Sequence, residues 1–159
     1  MSHQREVWPD LAGRLQHTTD GRRHVLPVRV YFEDTDFSGL VYHASYVRWC
    51  ERGRSDFLRL IGNDHTALLQ GGDGGEASAF VVRRMQLEYL KPARIDEILE
   101  VVTRVHELGA ASLILDQRIS RDGATLFEAV VTVVLVSQSG RVLRLSKALR
   151  GAMGAPVSG

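Results

Sequence analysis

Apolar positions along the chain change period three times, and each change marks an element. Residues 1–23 keep no period and scatter their charges, so they read as a loosely ordered N-terminal arm with a short helix near Pro9–Leu15. His24–Phe32 (HVLPVRVYF) is rich in β-branched and aromatic residues and predicts a strand. Pro27 has no N–H to give a ladder, which places its part of that strand at an edge. EDTDFSGLVYHAS follows, dense in turn formers. From Ala44 the period becomes helical: Tyr46, Cys50, Gly53, Phe57 and Leu60/Ile61 recur every three or four residues, with Arg48, Glu51, Arg52, Arg54 and Arg59 on the remaining surface. Gly62-Asn63 fits a C-cap, giving one helix of about five turns.

GGDGGEAS (71–78) then reads as a flexible loop, and four extended segments follow. They are Ala79–Leu90, stopped by Pro92; Ile95–Glu107, stopped by Gly109; Ala111–Arg121; and Thr125–Ser137. Asp122-Gly123 joins the last two as a hairpin. Ser139-Gly140 turns the chain into Arg141–Leu145, Ser146–Arg150 adds a last helical turn, and 151–159 reads as a flexible C-terminal tail. A lone amphipathic helix has to bury its stripe, and one face of the sheet is the only surface available. The pattern therefore predicts an α+β fold over residues 24–150, a curved antiparallel β-sheet wrapped around one long central α-helix. Segment 124–136 is apolar on both alternating faces, so its outer face is expected to be covered, by a second subunit or by the chain's own arm.

Composition narrows the classes. A length of 159 residues with 44% hydrophobic content suits one domain with a true core. Net charge is +1, which gives no electrostatic case for nucleic acid. No apolar run of about 18 residues exists to span a membrane, and Met1–Asp10 has no secretory h-region. Cys50 is the single cysteine and has no disulfide partner in the chain, so a cytoplasmic location is expected.

Val28–Arg59, VRVYFEDTDFSGLVYHASYVRWCERGRSDFLR, closely resembles the signature of the YbgC/4-hydroxybenzoyl-CoA thioesterase family of hotdog proteins. The matching elements are the strand VRVYFEDTD, the turn SG, the segment VYHASYV and the helical ER-x-R; VVRRMQLEYLKPARIDEILEV resembles the family's second block. The resemblance covers roughly residues 25–146. It implies a hotdog fold, a homodimer or homotetramer, acyl-CoA thioester substrates and no metal or bound cofactor. It also implies that the catalytic carboxylate is the second acid of D-x-D, here Asp36, and that the amide of His43 is the donor to the thioester carbonyl. Phe37-Ser38 and Gly53 depart from the family pattern; the glycine costs a helix roughly 1 kcal/mol unless a close contact requires it.

Thioester hydrolysis needs a nucleophile at the carbonyl and donors for the oxyanion. Asp36 can attack directly, forming an anhydride, or act as general base on water; the competing structural role is an Asx-turn or an N-cap. A helix beginning near His43–Ser45 points its unpaired N–H groups at the Asp36 loop, and Gly39 allows the tight turn that brings the backbone close. The His43 ring either does acid–base work or leaves the chemistry to its amide. Tyr42 lines the acyl site or packs in the core. Glu51, about two turns beyond His43, either contacts substrate or water or pairs with Arg48 or Arg54. Asp34 and Glu33 read as strand-end hydrogen-bonding groups, and Arg83, Arg84, Lys91 and Arg94 as exposed charges that can also meet CoA phosphates. No G-x-S-x-G elbow, H-E-x-x-H or P-loop is present. Two alternatives remain: a hotdog dehydratase, disfavoured by the order EDTD, SG, VYH, and a non-catalytic acyl-thioester-binding or scaffold protein, since relatives occur beside the Tol–Pal envelope system and a link to lipid-synthesis proteins goes with it.

Overall fold

The helical stripe organises the molecule. The computed structural model describes residues 13–71 and 76–154. Its strands are β1 (Arg14–Thr18), β2 (Gly21–Arg29), β3 (Ser78–Tyr89), β4 (Ile98–Leu108), β5 (Ser112–Arg121), β6 (Ala124–Ser137) and β7 (Val142–Leu143). Its helices are α1 (His43–Leu60), α2 (His65–Leu69) and α3 (Lys147–Met153). All pairings are antiparallel, in the order β1-β2-β4-β5-β6-β3, with β7 beside β6. Register shifts at Val82/Arg84, Val105/Glu107 and Ile119/Ser120 interrupt the ladders. Such bulges bend strands and increase twist, which lets one sheet curl around one helix.

Tyr46, Trp49, Cys50, Gly53 and Phe57 of α1 are buried against Leu99, Val101, Leu115, Ile119, Phe127 and Val131 of the sheet. This is the hotdog arrangement expected from the pattern. Gly53 has the close contact that justifies it: a Cβ there would lie 3.0 Å from Val101 Cγ1, 3.2 Å from Thr103 Oγ1 and 3.3 Å from Gln117 Nε2. Gln117, fully buried on β5, donates to the Cys50 carbonyl and to Thr103 Oγ1, both at 2.9 Å, and accepts from Arg54 at 2.9 Å. Its polar atoms are thus satisfied in the core, as a buried amide requires.

Several expectations need correction. Residues 13–23 are ordered: β1 pairs with β2 through a turn at Thr19-Asp20, and Gly21, the first residue of β2, takes φ +121°. Arg14 and Leu15 are strand rather than helix, while residues 9–12 of the expected helix lie outside the described residues. A five-residue segment without a period takes its conformation from the strand it pairs with, which local sequence does not display. Pro27 lies past the last described β1 pair, Arg14↔Val25, and the positions that would face it across that ladder lie outside the described residues. Helix α2 was not foreseen, although Asp64 caps it by accepting the Ala67 N–H at 2.8 Å. The tail is not loose throughout, because α3 runs through Gly151 to Met153, whose side chain is buried, and Arg22 donates to the Ala152 carbonyl at 2.6 Å. On β6, Val133, Val134 and Leu135 are all buried, whereas Val130 on the outer face remains exposed.

Candidate active site

Between β2 and α1 the chain makes a single 3-10 turn, Phe32–Asp34, then a tight loop. Asp34 is buried and holds both ends of that segment. Its carboxylate accepts the Tyr31 N–H at 2.8 Å, and its carbonyl accepts the Tyr42 N–H at 2.8 Å and the Ser45 hydroxyl at 3.1 Å. Within the loop, Asp36 N–H donates to the Leu40 carbonyl at 2.9 Å and Gly39 N–H to the Asp36 carbonyl at 3.0 Å. Gly39 has φ +81°, a conformation that favours glycine. Val41 N–H donates to the Ala93 carbonyl at 2.9 Å, fastening the far side of the loop to the segment after β3. Asp36 therefore stands on an exposed but tied-down tip.

The Asp36 carboxylate is used on one side only. Oδ1 accepts the Ser38 hydroxyl at 2.5 Å and the Ser38 N–H at 2.8 Å, an Asx-turn; no donor among the described residues reaches Oδ2. The Ser38 hydroxyl first, then its amide, hold the Asp36 carboxyl below the usual carboxylate range, with a further contribution from His43. The turn-forming role and a chemical role thus coexist on different oxygens of one side chain.

Helix α1 starts without a cap. Tyr42 gives no side-chain hydrogen bond, and no acid occupies the first turn. Ser45 N–H bonds back to the Tyr42 carbonyl at 2.9 Å, but the His43 and Ala44 N–H groups have no partner among the described residues. Unpaired amides at the positive end of an 18-residue helix form an anion-receptive spot beside Asp36. His43 is exposed, its ring 4.4 Å from Tyr42 and 6.5 Å from Tyr89, and Tyr42 is itself 45% exposed rather than packed in the core. Tyr89, the last residue of β3, donates its hydroxyl to the His43 carbonyl at 2.9 Å.

Asp36, Gly39, Tyr42 and His43 thus fall in one region, and Glu51 does not join them within a single chain. Eight residues of helix separate it from His43 by about 12 Å along the axis. It forms no ion pair with Arg48 or Arg54; instead its carboxylate accepts the Ser55 hydroxyl at 2.5 Å, and Ser55 also meets His65 Nε2 at 2.8 Å. These three stand at the rim of a cavity of about 130 Å³ floored by Phe57, Leu58, Phe80, Leu115 and Met153. Arg83, Arg84, Lys91 and Arg94 are exposed. Sequence reasoning missed Ser38 and Ser45, although a serine two residues after an aspartate and one in a first helical turn are recognisable signals. Tyr89 has no local signal, because only the fold brings the end of β3 to the start of α1.

Comparison with known proteins bears on the family and the fold. The family model described as the thioesterase superfamily matches residues 38–128. The acyl-CoA thioester hydrolase YbgC of Escherichia coli O157:H7 is 47% identical over 111 residues, covering 69% of this chain and 79% of the relative. The acyl-CoA thioesterase YbgC of Haemophilus influenzae is 39% identical over 110 residues, covering 69% and 78%. The crystal structure of a probable thioesterase from Bartonella henselae superposes with a TM-score of 0.75 at 42% identity, covering 78% of this chain and 99% of that one. The chain belongs to the thioesterase superfamily, as a YbgC-like thioester hydrolase of the hotdog fold.

Proposed function

We propose that this hydrolase cleaves acyl-CoA to free acid and CoA, with Asp36 as the reacting carboxylate and the start of α1 as the oxyanion site. The observation that carries the reading is the pairing of an ionised carboxylate with two helix-start amides, at His43 and Ala44; among the described residues neither the amides nor the carboxylate Oδ2 has a partner. Asp36 either adds to the carbonyl carbon itself or takes a proton from water that adds. In both routes the carbonyl π-electrons move onto oxygen, where the amides receive the charge, and collapse of the adduct expels CoA as thiolate. Direct attack leaves an Asp36 anhydride that water then opens. The His43 ring stabilises the Asp36 anion, while Tyr42 and Gly39 border the acyl group. The names of the Escherichia and Haemophilus relatives support acyl-CoA as substrate, and the exposed Arg83, Arg84, Lys91 and Arg94 suit its phosphates.

The active form in this reading is a homodimer. Strand β3 ends one side of the sheet, 12 residues long and unpaired on its outer side among the described residues, with Val81, Val82, Leu87 and Tyr89 exposed. Long apolar edges invite pairing. A two-fold pairing centred near Met85 sets Val81 of one protomer opposite Tyr89 of the other. The cavity rimmed by Glu51 in one protomer then lies near the Asp36 loop of its partner, which gives Glu51 its place at the substrate.

Free-thiol release from short, long and aromatic acyl-CoAs tests the reading, with wild type and Asp36→Asn side by side. Turnover that is lost in Asp36→Asn supports it, and the panel names the acyl class. Equal turnover in both proteins moves the site elsewhere. Binding without turnover favours the scaffold reading, with its link to Tol–Pal or lipid-synthesis proteins.

A further inference from the structure

Resting on the oxyanion site proposed above, we infer that Tyr89 is a positioning residue for it: its hydroxyl aims and strengthens the Ala44 N–H by donating to the His43 carbonyl. The His43 carbonyl and the Ala44 N–H belong to one planar trans peptide and point in opposite directions. A donor that fixes the oxygen therefore fixes the direction of the hydrogen. The peptide before it, carrying the His43 N–H, is held in the same way, because its Tyr42 carbonyl accepts the Ser45 N–H at 2.9 Å. Each donor without a partner among the described residues is thus aimed from the carbonyl side of its own peptide: the first by the Ser45 N–H, the second by the helix's own bond on the His43 carbonyl and by Tyr89, which adds a second donor there at 2.9 Å. A hydrogen bond on a carbonyl also polarises the amide behind it, strengthening the N–H by about 10–30%.

The phenol has a fixed position from which to do this. Tyr89 pairs with Phe127 across the β3–β6 ladder, and its ring packs edge-on against Phe127 at 5.0 Å and Tyr46 at 5.6 Å. Tyr46 is held in turn, its hydroxyl accepting the Ala93 N–H at 3.0 Å. Burial pushes the Tyr89 phenol above its ordinary pKa, so it remains a neutral donor through the working range. The chain from sheet edge to thioester then reads: Tyr89 O–H, His43 carbonyl, Ala44 N–H, substrate oxygen.

Tyr89→Phe keeps the ring and removes only the hydroxyl. The expected result is a fall in kcat of about 3- to 10-fold, less than for loss of a direct oxyanion donor, with KM and Tm unchanged. A purely structural role would not alter the carbonyl stretch of a bound ketone analogue, in which methylene replaces the thioester sulfur. In wild type that band shifts to lower frequency than in water, and the shift shrinks in Tyr89→Phe. A thioether analogue lacking the carbonyl binds both proteins equally. An unchanged kcat and carbonyl shift overturns the inference, as does a kcat loss that comes with a lowered Tm or weaker thioether binding. Asp36→Asn run in parallel separates the two claims. If it is inactive while Tyr89→Phe matches wild type, only the Tyr89 inference fails; if Asp36→Asn is fully active, the oxyanion-site reading falls first.

Discussion

At the residue scale, Ser38 governs when Asp36 is charged. Its hydroxyl and amide lower the Asp36 pKa by stabilising the anion, so the carboxylate, the form the proposed reaction uses, persists until pH falls below the ordinary carboxylate value of about 4. Ser38→Ala removes the stronger of these bonds and raises that pKa. The acid limb of the kcat/KM profile should then move to higher pH while the neutral plateau changes little; a limb that stays in place would detach Asp36 from the rate. The two acids of D-x-D part company here as well. Asp34 is buried, tying Tyr31 to the strand end, so Asp34→Ala should lower Tm by several degrees, whereas Asp36 is exposed and should be replaceable without loss of stability. Asp36, Gly39, Tyr42 and His43 were legible because they lie within eight consecutive residues of one ordered motif. Glu51 was legible as a helix position but not as a neighbour of His43 in one chain, and Tyr89 was not legible at all, since it arrives from another strand.

At the element scale, the length and buried face of α1 followed from its period, while the details of its seat did not. Gly53→Ala should gain about 1 kcal/mol of helix propensity but crowd Gln117, which three hydrogen bonds hold in place. Overpacking of this kind costs about 1–3 kcal/mol, so a net destabilisation in urea melts is expected. Beneath β1, His24 and Asp56 clamp β2 to α1 at 2.6 Å, and Asp56 also accepts the Gly13 N–H at 2.7 Å. Burial holds the His24 pKa below its ordinary value, outweighing Asp56, and His24 Nδ1 is buried with no partner among the described residues, as suits a neutral ring. The unfolded chain therefore takes up this proton first. Stability from His24 is complete above about pH 6.5 and declines as pH falls toward its folded-state pKa. Tm should fall between pH 7 and pH 5.5, and His24→Gln, which can still donate to Asp56, should flatten that slope; parallel slopes would clear His24. The clamp and β1 were invisible in the sequence because each depends on a partner far along the chain.

At the scale of the whole molecule, the curved sheet around one helix was readable from the alternation of periods; the two-sided apolar segment 124–136 lies in β6, which is paired on both sides, while the exposed apolar residues of β3 at the sheet's edge were not singled out in the sequence. A dimer through that edge should sediment at twice 17.7 kDa, and Val82→Lys, which places a charge on it, should shift the equilibrium toward monomer. A wild-type monomer at micromolar concentration would remove the proposed shared site and Glu51 with it. The Asp36 chemistry is tested most directly by kcat for Asp36→Asn against wild type on the best acyl-CoA of the panel, with Tm measured on the same preparations. The account predicts a loss of at least about 100-fold at unchanged Tm; near-wild-type kcat would contradict it.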